Sequence, residues 1–126
     1  MEYRFIAHGH KYILAEHRNT LEVTTERNLT KNGDCIVAVA ADFEKEKLKQ
    51  FFGRARMTFE VESTYENKVL KEYVDFDVNP DFDSDKEIVL RLGDFSSART
   101  YGLNCTKSSK MLSREFIREL RDNKKR

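Results

Sequence analysis

The sequence predicts a β-rich α+β domain, an antiparallel sandwich or barrel carrying two helices, and three observations lead there. About seven short segments alternate apolar and polar residues or run apolar over strand lengths. Two segments show helical spacing instead, one after residue 42 and one near the end of the chain. An order of strand, loop, strand and helix occurs twice.

The stretch 33–52, GDCIVAVAADFEKEKLKQFF, organises the rest. Cys35, Val37, Val39 and Ala41 fall on one strand face and Ile36, Ala38 and Ala40 on the other. Both faces are apolar, which predicts a central strand covered on each side. Asp42 stands where a helix N-cap belongs, with Glu44 and Glu46 in the first turn. Leu48, Phe51 and Phe52 are expected to bury one helical face before Gly53 caps it.

Ahead of that stretch, residues 3–8 alternate as a strand, with Tyr3, Phe5 and Ala7 opposite Arg4, Ile6 and His8. Residues 20–25 alternate again, Leu21 and Val23 against Glu22 and Thr24. The connection that follows carries one apolar anchor, Leu29. Residues 57–65 and 69–78 form the strongest hairpin signal, turning at Glu66-Asn67-Lys68. An acidic loop, NPDFDSDK, surrounds the only proline, and strands are expected at 87–92 and 99–105. Leu112, Phe116, Ile117 and Leu120 then mark a final helix beginning near Thr106 or Ser108. Residues 1–122 read as one domain and 123–126 as a basic tail.

The end of the chain echoes its first half. Leu29-Thr30 corresponds to Phe95-Ser96, Ile36 to Tyr101, and Phe51-Phe52 to Phe116-Ile117. The repeated order predicts an old internal duplication with pseudo-twofold symmetry.

Composition narrows the function classes. The 126 residues are 39% hydrophobic and 36% charged, with nine Phe and five Tyr to fill a core. A net charge of +1 supplies no global field toward nucleic acid or membrane. No segment approaches the ~20 apolar residues of a membrane span, and no secretory leader is visible. Cys35 and Cys105 form no Cys-x-x-Cys pair. The Asn28 and Asn104 sequons then read as chance, and the setting as cytoplasmic.

Four groupings bear chemistry. His8, His10 and His17 are weak metal candidates, since alternate strand residues point the same way. Gly33-Asp34-Cys35 sets a carboxylate beside a thiol, although a turn with a small core cysteine is the simpler reading. The acidic run from Asp75 to Asp85 begins like a calcium loop, but Pro80 and Lys86 stand where Gly and a bidentate Glu are needed. Arg54, Arg56, Arg114, Arg118, Arg121 and Lys124 could meet phosphate, yet acidic residues balance them.

Several motifs resemble an archaeal family known as domain of unknown function 371. They are Gly9-His10; His17-x-x-Thr20-x-Glu22-Val23-Thr24; Leu29-Thr30-x-x-Gly33-Asp34-Cys35-Ile36; and Arg91-x-x-Asp94-Phe95 with Arg99-Thr100. The resemblance covers nearly the whole chain. It implies a small, mainly β, sandwich-like domain of the archaeal cytoplasm and no established reaction. The chain departs from the family pattern at Ala41-Asp42-Phe43-Glu44 and at Arg91-Leu92-Gly93-Asp94, so a Lys or Ser of relatives is not carried over there.

Residues and resemblance point to one region: His10, His17, Asp34, Arg91, Asp94, Arg99 and Thr100 lie at strand ends near the two related junctions. The expectation is a binding module whose groove takes a small anionic ligand or a nucleic-acid phosphate through Arg91 and Arg99. The alternatives are a metal-assisted hydrolase using the N-terminal histidines with Asp34, and a structural subunit of a homo-oligomer or larger assembly. The cofactor is left open. Asp34 is expected to accept turn N–H bonds or pair with His17 or Arg99, so Asp34→Asn should cost stability.

Overall fold

The computed structural model describes residues 1–29, 34–63 and 67–122. The expected Gly33 turn, the hairpin tip at Tyr65 and Glu66, and the basic tail lie outside the described residues. The elements run β1 (Thr20–Thr24), β2 (Ile36–Ala38), α1 (Lys45–Leu48), β3 (Arg54–Glu62), β4 (Val69–Val78), β5 (Glu87–Arg91), β6 (Thr100–Leu103), a 3-10 turn (Ser109–Met111) and α2 (Arg114–Asp122). The strands form one curled six-stranded sheet in the order β2-β1-β5-β6-β4-β3. With its two helices it is a β-rich α+β fold.

The pairing is mixed. β1–β5, β3–β4 and β4–β6 are antiparallel, but β1–β2 and β5–β6 are parallel. Each parallel pair is joined by a loop that carries the chain back before it re-enters the sheet, which is why a purely antiparallel reading does not hold. The two pairs match in detail: Glu22 is paired with Ile36 and Val23 with Ala38, while Val89 is paired with Thr100 and Leu90 with Gly102. The register breaks after Glu22 in one and after Val89 in the other. Glu22 and Val89 are also partners of each other across β1 and β5.

β2 ends the sheet order and so is not central. Val37 and Ala38 are nevertheless buried, as is Val39 just beyond the strand, while Ile36 is half-buried. The cover comes from the N-terminal segment, which alternates half-buried Tyr3, Phe5 and Ala7 with exposed Arg4, Ile6 and His8. It meets the sheet through one antiparallel bridge, His8 to Val39, and not as a full strand. Beyond that bridge Asp42 Oδ1 accepts the Ile6 N–H at 2.8 Å, and the Asp42 N–H donates to the Ile6 carbonyl at 3.0 Å. Asp42 is thereby used to anchor this segment and does not cap the helix.

The cap position of α1 is Glu44, whose N–H donates to Tyr3 Oη at 2.8 Å. With no side-chain cap, α1 runs four residues and buries Leu48. Phe52 lies outside the helix, 86% exposed, contrary to its expected place in the apolar face. Gly53, with φ +75, turns the chain into β3 in a conformation that favours glycine.

The hairpin β3–β4 forms as its alternation predicts, in register from Arg54 opposite Asp77 to Glu62 opposite Val69. The acidic loop is pinned to the body of the protein. Phe82 is fully buried, its ring 4.9 Å from that of Tyr101, and Asp83 pairs with Lys45 at 3.1 Å and Lys49 at 3.5 Å. The last helix starts later than expected because Leu112 is extended; Ser113 Oγ accepts the Phe116 N–H and opens α2. Leu112, Phe116, Ile117 and Leu120 are buried against the sheet as their spacing predicts.

Candidate functional site

Alternation along β1 and β5 divides the centre of the sheet into two chemically different faces. Leu21, Val23, Ile88 and Leu90 enter the core. The other face carries Thr20, Glu22 and Thr24 opposite Arg91, Val89 and Glu87 respectively, with Thr100 of β6 beside Val89. This second face is polar yet largely closed: Thr20, Glu22, Thr24 and Thr100 are all buried, Glu22 to 7% exposure.

Glu22 is at its centre. Cys35, in the turn before β2, donates its thiol to Glu22 Oε1 at 3.5 Å. Arg99 reaches over with one guanidinium nitrogen 3.8 Å from Glu22 Oε1 and another 3.3 Å from Glu87 Oε1. Burial is the largest influence on the Glu22 carboxyl, and the hydrogen bond and charge of Glu87 add to it. Cys35 and Arg99 oppose them only in part, so Glu22 rises from 4.5 to about 7. Burial and the neighbouring Glu22 likewise push the Cys35 thiol up to about 11. A nucleophilic thiolate needs the opposite environment.

The network extends to His17. Its Nδ1 accepts the Asn19 and Thr20 N–H groups, each at 3.1 Å, and lies 3.0 Å from Thr20 Oγ1. Those donors put the ring proton on Nε2. The Thr20 side chain in turn lowers the Cys35 thiol's pKa, against the larger effect of burial. His17, Thr20, Cys35, Glu22, Glu87 and Arg99 thus form one continuous chain of contacts.

On the same face, Arg91 Nε donates to Thr100 Oγ1 at 3.3 Å, and the guanidinium lies 5.0 Å over the Phe95 ring. Thr100 is held in turn by Ser97 Oγ at 3.2 Å, and its carbonyl accepts Asn79 Nδ2 at 2.8 Å. Among the described residues no carboxylate pairs with Arg91. Phe95, the counterpart of Leu29 in the repeated order, is 66% exposed, where Leu29 is buried, and is the platform for this guanidinium.

The remaining sequence candidates stand apart. His10 Nδ1 accepts the Tyr12 N–H at 3.1 Å, which makes it a turn acceptor. His8 is exposed on its bridge to Val39. Asp34 is tied through its main-chain carbonyl, which accepts the Glu16 and His17 N–H groups at 2.9 and 3.3 Å. Its carboxylate has no hydrogen-bond or ion-pair partner among the described residues, contrary to the expected turn or charge pairing. Asp94 is exposed. Among the described residues no group of three His, Cys, Asp or Glu is placed to hold a metal ion.

The basic residues divide similarly. Arg54 and Arg56 pair with Asp77 and Asp75, and Arg114 donates to the carbonyls of Leu14, Ala15, Ser109, Lys110 and Leu112. A cavity of about 650 Å³ lies between the N-terminal segment and β3, lined from the core by Val23, Val37 and Phe76. Glu22 and Arg91 are not among its lining residues.

Sequence reasoning overlooked Glu22 and Glu87. Period-two alternation assigns Glu22 to a solvent face, and only the register reveals that a second acid, a thiol and an arginine converge there. The available signal was the run Thr20-x-Glu22-x-Thr24, a carboxylate framed by β-branched hydroxyls.

Among the described residues no helix is long and apolar enough to cross a membrane. Residues 5–126 match the family model described as domain of unknown function DUF371. An uncharacterized protein of Methanocaldococcus jannaschii is 31% identical over 131 residues, spanning 98% of this chain and 94% of that relative. On this evidence, the chain belongs to the family described as domain of unknown function DUF371.

Proposed function

We propose that this protein is a binding module for a small oxyanion, with its site on the polar face of β1, β5 and β6. The observation that carries the reading is Arg91. Its guanidinium is oriented by Thr100 and Phe95, and no carboxylate among the described residues neutralises it. A planar, pre-oriented guanidinium suits a bidentate phosphate or carboxylate. Arg99 already serves Glu22 and Glu87 and has a secondary part.

Glu22 completes the reading. A purely structural ion pair lowers a carboxyl's pKa, whereas this one is raised to about 7. A carboxyl kept protonated to near neutrality can donate to an anion without repelling it, and such perturbation is characteristic of working sites. The near-balanced charge of the chain favours a compact anion over a nucleic-acid backbone. His17, Arg91, Arg99 and Thr100 belong to this site with Glu22 and Glu87; His10, Asp34 and Asp94 do not. The free cysteines Cys35 and Cys105 support a reducing, cytoplasmic setting.

A thermal-shift panel of phosphate, pyrophosphate, citrate and nucleoside monophosphates tests the reading. A saturable rise in Tm with one of them, lost in Arg91→Ala, supports it. No response to any member contradicts it. Mixed RNA at two salt concentrations tests the nucleic-acid form, and zinc or manganese titration tests the hydrolase alternative.

The two parallel pairs also support an old duplication. Their shared register break, and the pairing of Glu22 with its counterpart Val89, are what a pseudo-twofold axis between β1 and β5 would produce. The site then lies on that axis.

A further inference from the structure

β3 ends the sheet, with β4 on one side and, among the described residues, no strand on the other. The Val78 N–H donates to the Gly53 carbonyl and the Ser63 N–H to the Lys68 carbonyl, both at 2.8 Å. In an antiparallel ladder hydrogen-bonded pairs alternate, so the odd-numbered residues of β3 face β4. The backbone N–H and C=O groups of Arg54, Arg56, Thr58, Glu60 and Glu62 therefore point to the open edge. Among the described residues no backbone hydrogen bond crosses from the N-terminal segment to this edge.

Native proteins blunt open edges, and a run of like charge is one means. Here the charge is segregated instead, Arg54 and Arg56 before Thr58, Glu60 and Glu62 after it. The sequence RARMTFEVE is thus complementary to itself when reversed. We propose that β3 pairs antiparallel with β3 of a second copy of this chain, about a twofold axis at Thr58, extending the sheet across both subunits.

That register brings edge-facing residues opposite edge-facing residues. It sets Arg56 against the partner's Glu60 and Arg54 against the partner's Glu62. The intramolecular pairs continue the pattern: Arg56 holds Asp75 at 2.7 Å, and Glu60 meets Lys71 at 3.7 Å. Across the interface the outer face then reads Asp75, Arg56, the partner's Glu60, the partner's Lys71, with signs alternating throughout. On the inner face, half-buried Met57 lies opposite the partner's Phe59, and Ala55 opposite the partner's Val61. Shifting the register by two residues either way leaves only half of the Arg–Glu matches, and centring on Glu60 opposes like charges. The twofold register is the one selected.

Sedimentation and light scattering of the full chain test this at about 100 µM, since a dimer forms by mass action. The wild type should be a dimer. Thr58→Pro removes an edge-facing N–H without touching the bonds to β4, and Glu60→Lys opposes the partner's Arg56; both should give monomers. Circular dichroism confirms that each variant is folded, and the two act by different means, so misfolding of one leaves the other decisive. A monomeric wild type, or a dimer that survives in a folded variant, overturns the proposal.

Discussion

Cys35 Sγ lies 3.5 Å from Glu22 Oε1, so a thiol and a carboxyl, each with its pKa raised, share a hydrogen bond in the closed polar face of the sheet. Neither group is placed to make the fold more stable. Both are held in an environment that opposes their ionised forms, and Arg99 compensates only in part.

The pH dependence of stability follows from the direction of the Glu22 shift. Folded Glu22 takes up its proton at about 7 and the unfolded chain near 4.5, so between these values the folded state holds more protons. Its contribution is full below the unfolded value and is lost as pH rises through 7. The facing groups, Glu87, Arg99 and Cys35, remain in Glu22→Gln, so the difference between the two melting profiles isolates this carboxyl. The variant should melt about 3–6 °C above the wild type near pH 8 and lose that advantage on acidification. Parallel profiles would show that Glu22 keeps an ordinary pKa.

Thiol reactivity reports the same site from the other side. With Cys35 pushed to about 11 and Cys105 to about 12, neither should react appreciably with iodoacetamide near neutral pH while the protein is folded. Glu22→Gln removes the charge that opposes the Cys35 thiolate and should speed alkylation at Cys35 but not at Cys105. Fast labelling of wild-type Cys35 would contradict the buried hydrogen-bonded placement.

Gly9 packs against the end of α2. A Cβ there would meet the backbone carbonyl of Leu120, which cannot swing aside as a side chain can. Gly9→Ala should therefore cost about 3 kcal/mol, the upper end for overpacking, measured from the denaturant midpoint. A loss below about 1 kcal/mol would mean the N-terminal segment is free to shift.

Asp34 reverses its sequence-based expectation. The carbonyl of Asp34, not its carboxylate, ties down Glu16 and His17, and Asn supplies the same carbonyl. Asp34→Asn should change stability by about 1 kcal/mol or less. A larger loss would mean that the carboxylate has a partner the geometry does not provide.

What was legible in the sequence follows from the range of each signal. The alternation of β3 and β4 and the stripe Leu112, Phe116, Leu120 are local, and both formed as expected. The place of β2 was not legible, because an apolar run reports burial on both faces without saying whether a strand or a single bridge supplies the cover. Asp42 has the chemistry of a cap, but the Ile6 amide, distant in sequence, competes for its carboxylate. At the proposed site, Arg91, Arg99, Thr100 and His17 were visible as polar groups at junctions. Glu22 and Glu87 were not, since their meeting depends on the β1–β5 register and on a side chain from a third segment, Arg99.

Calorimetric titration decides whether the proposed oxyanion site at Arg91 binds. Inorganic phosphate and pyrophosphate, followed by any anion that raises Tm in the panel, would be titrated into the wild type and into Arg91→Ala. Saturable binding of one anion per chain is expected, weakened at least about tenfold in Arg91→Ala, since a charge-assisted hydrogen bond is worth about 1.5–3 kcal/mol. Binding should be weaker near pH 8 than near pH 6, as Glu22 loses its proton at about 7. Binding that is indifferent to Arg91, or absent for every anion tried, would contradict it.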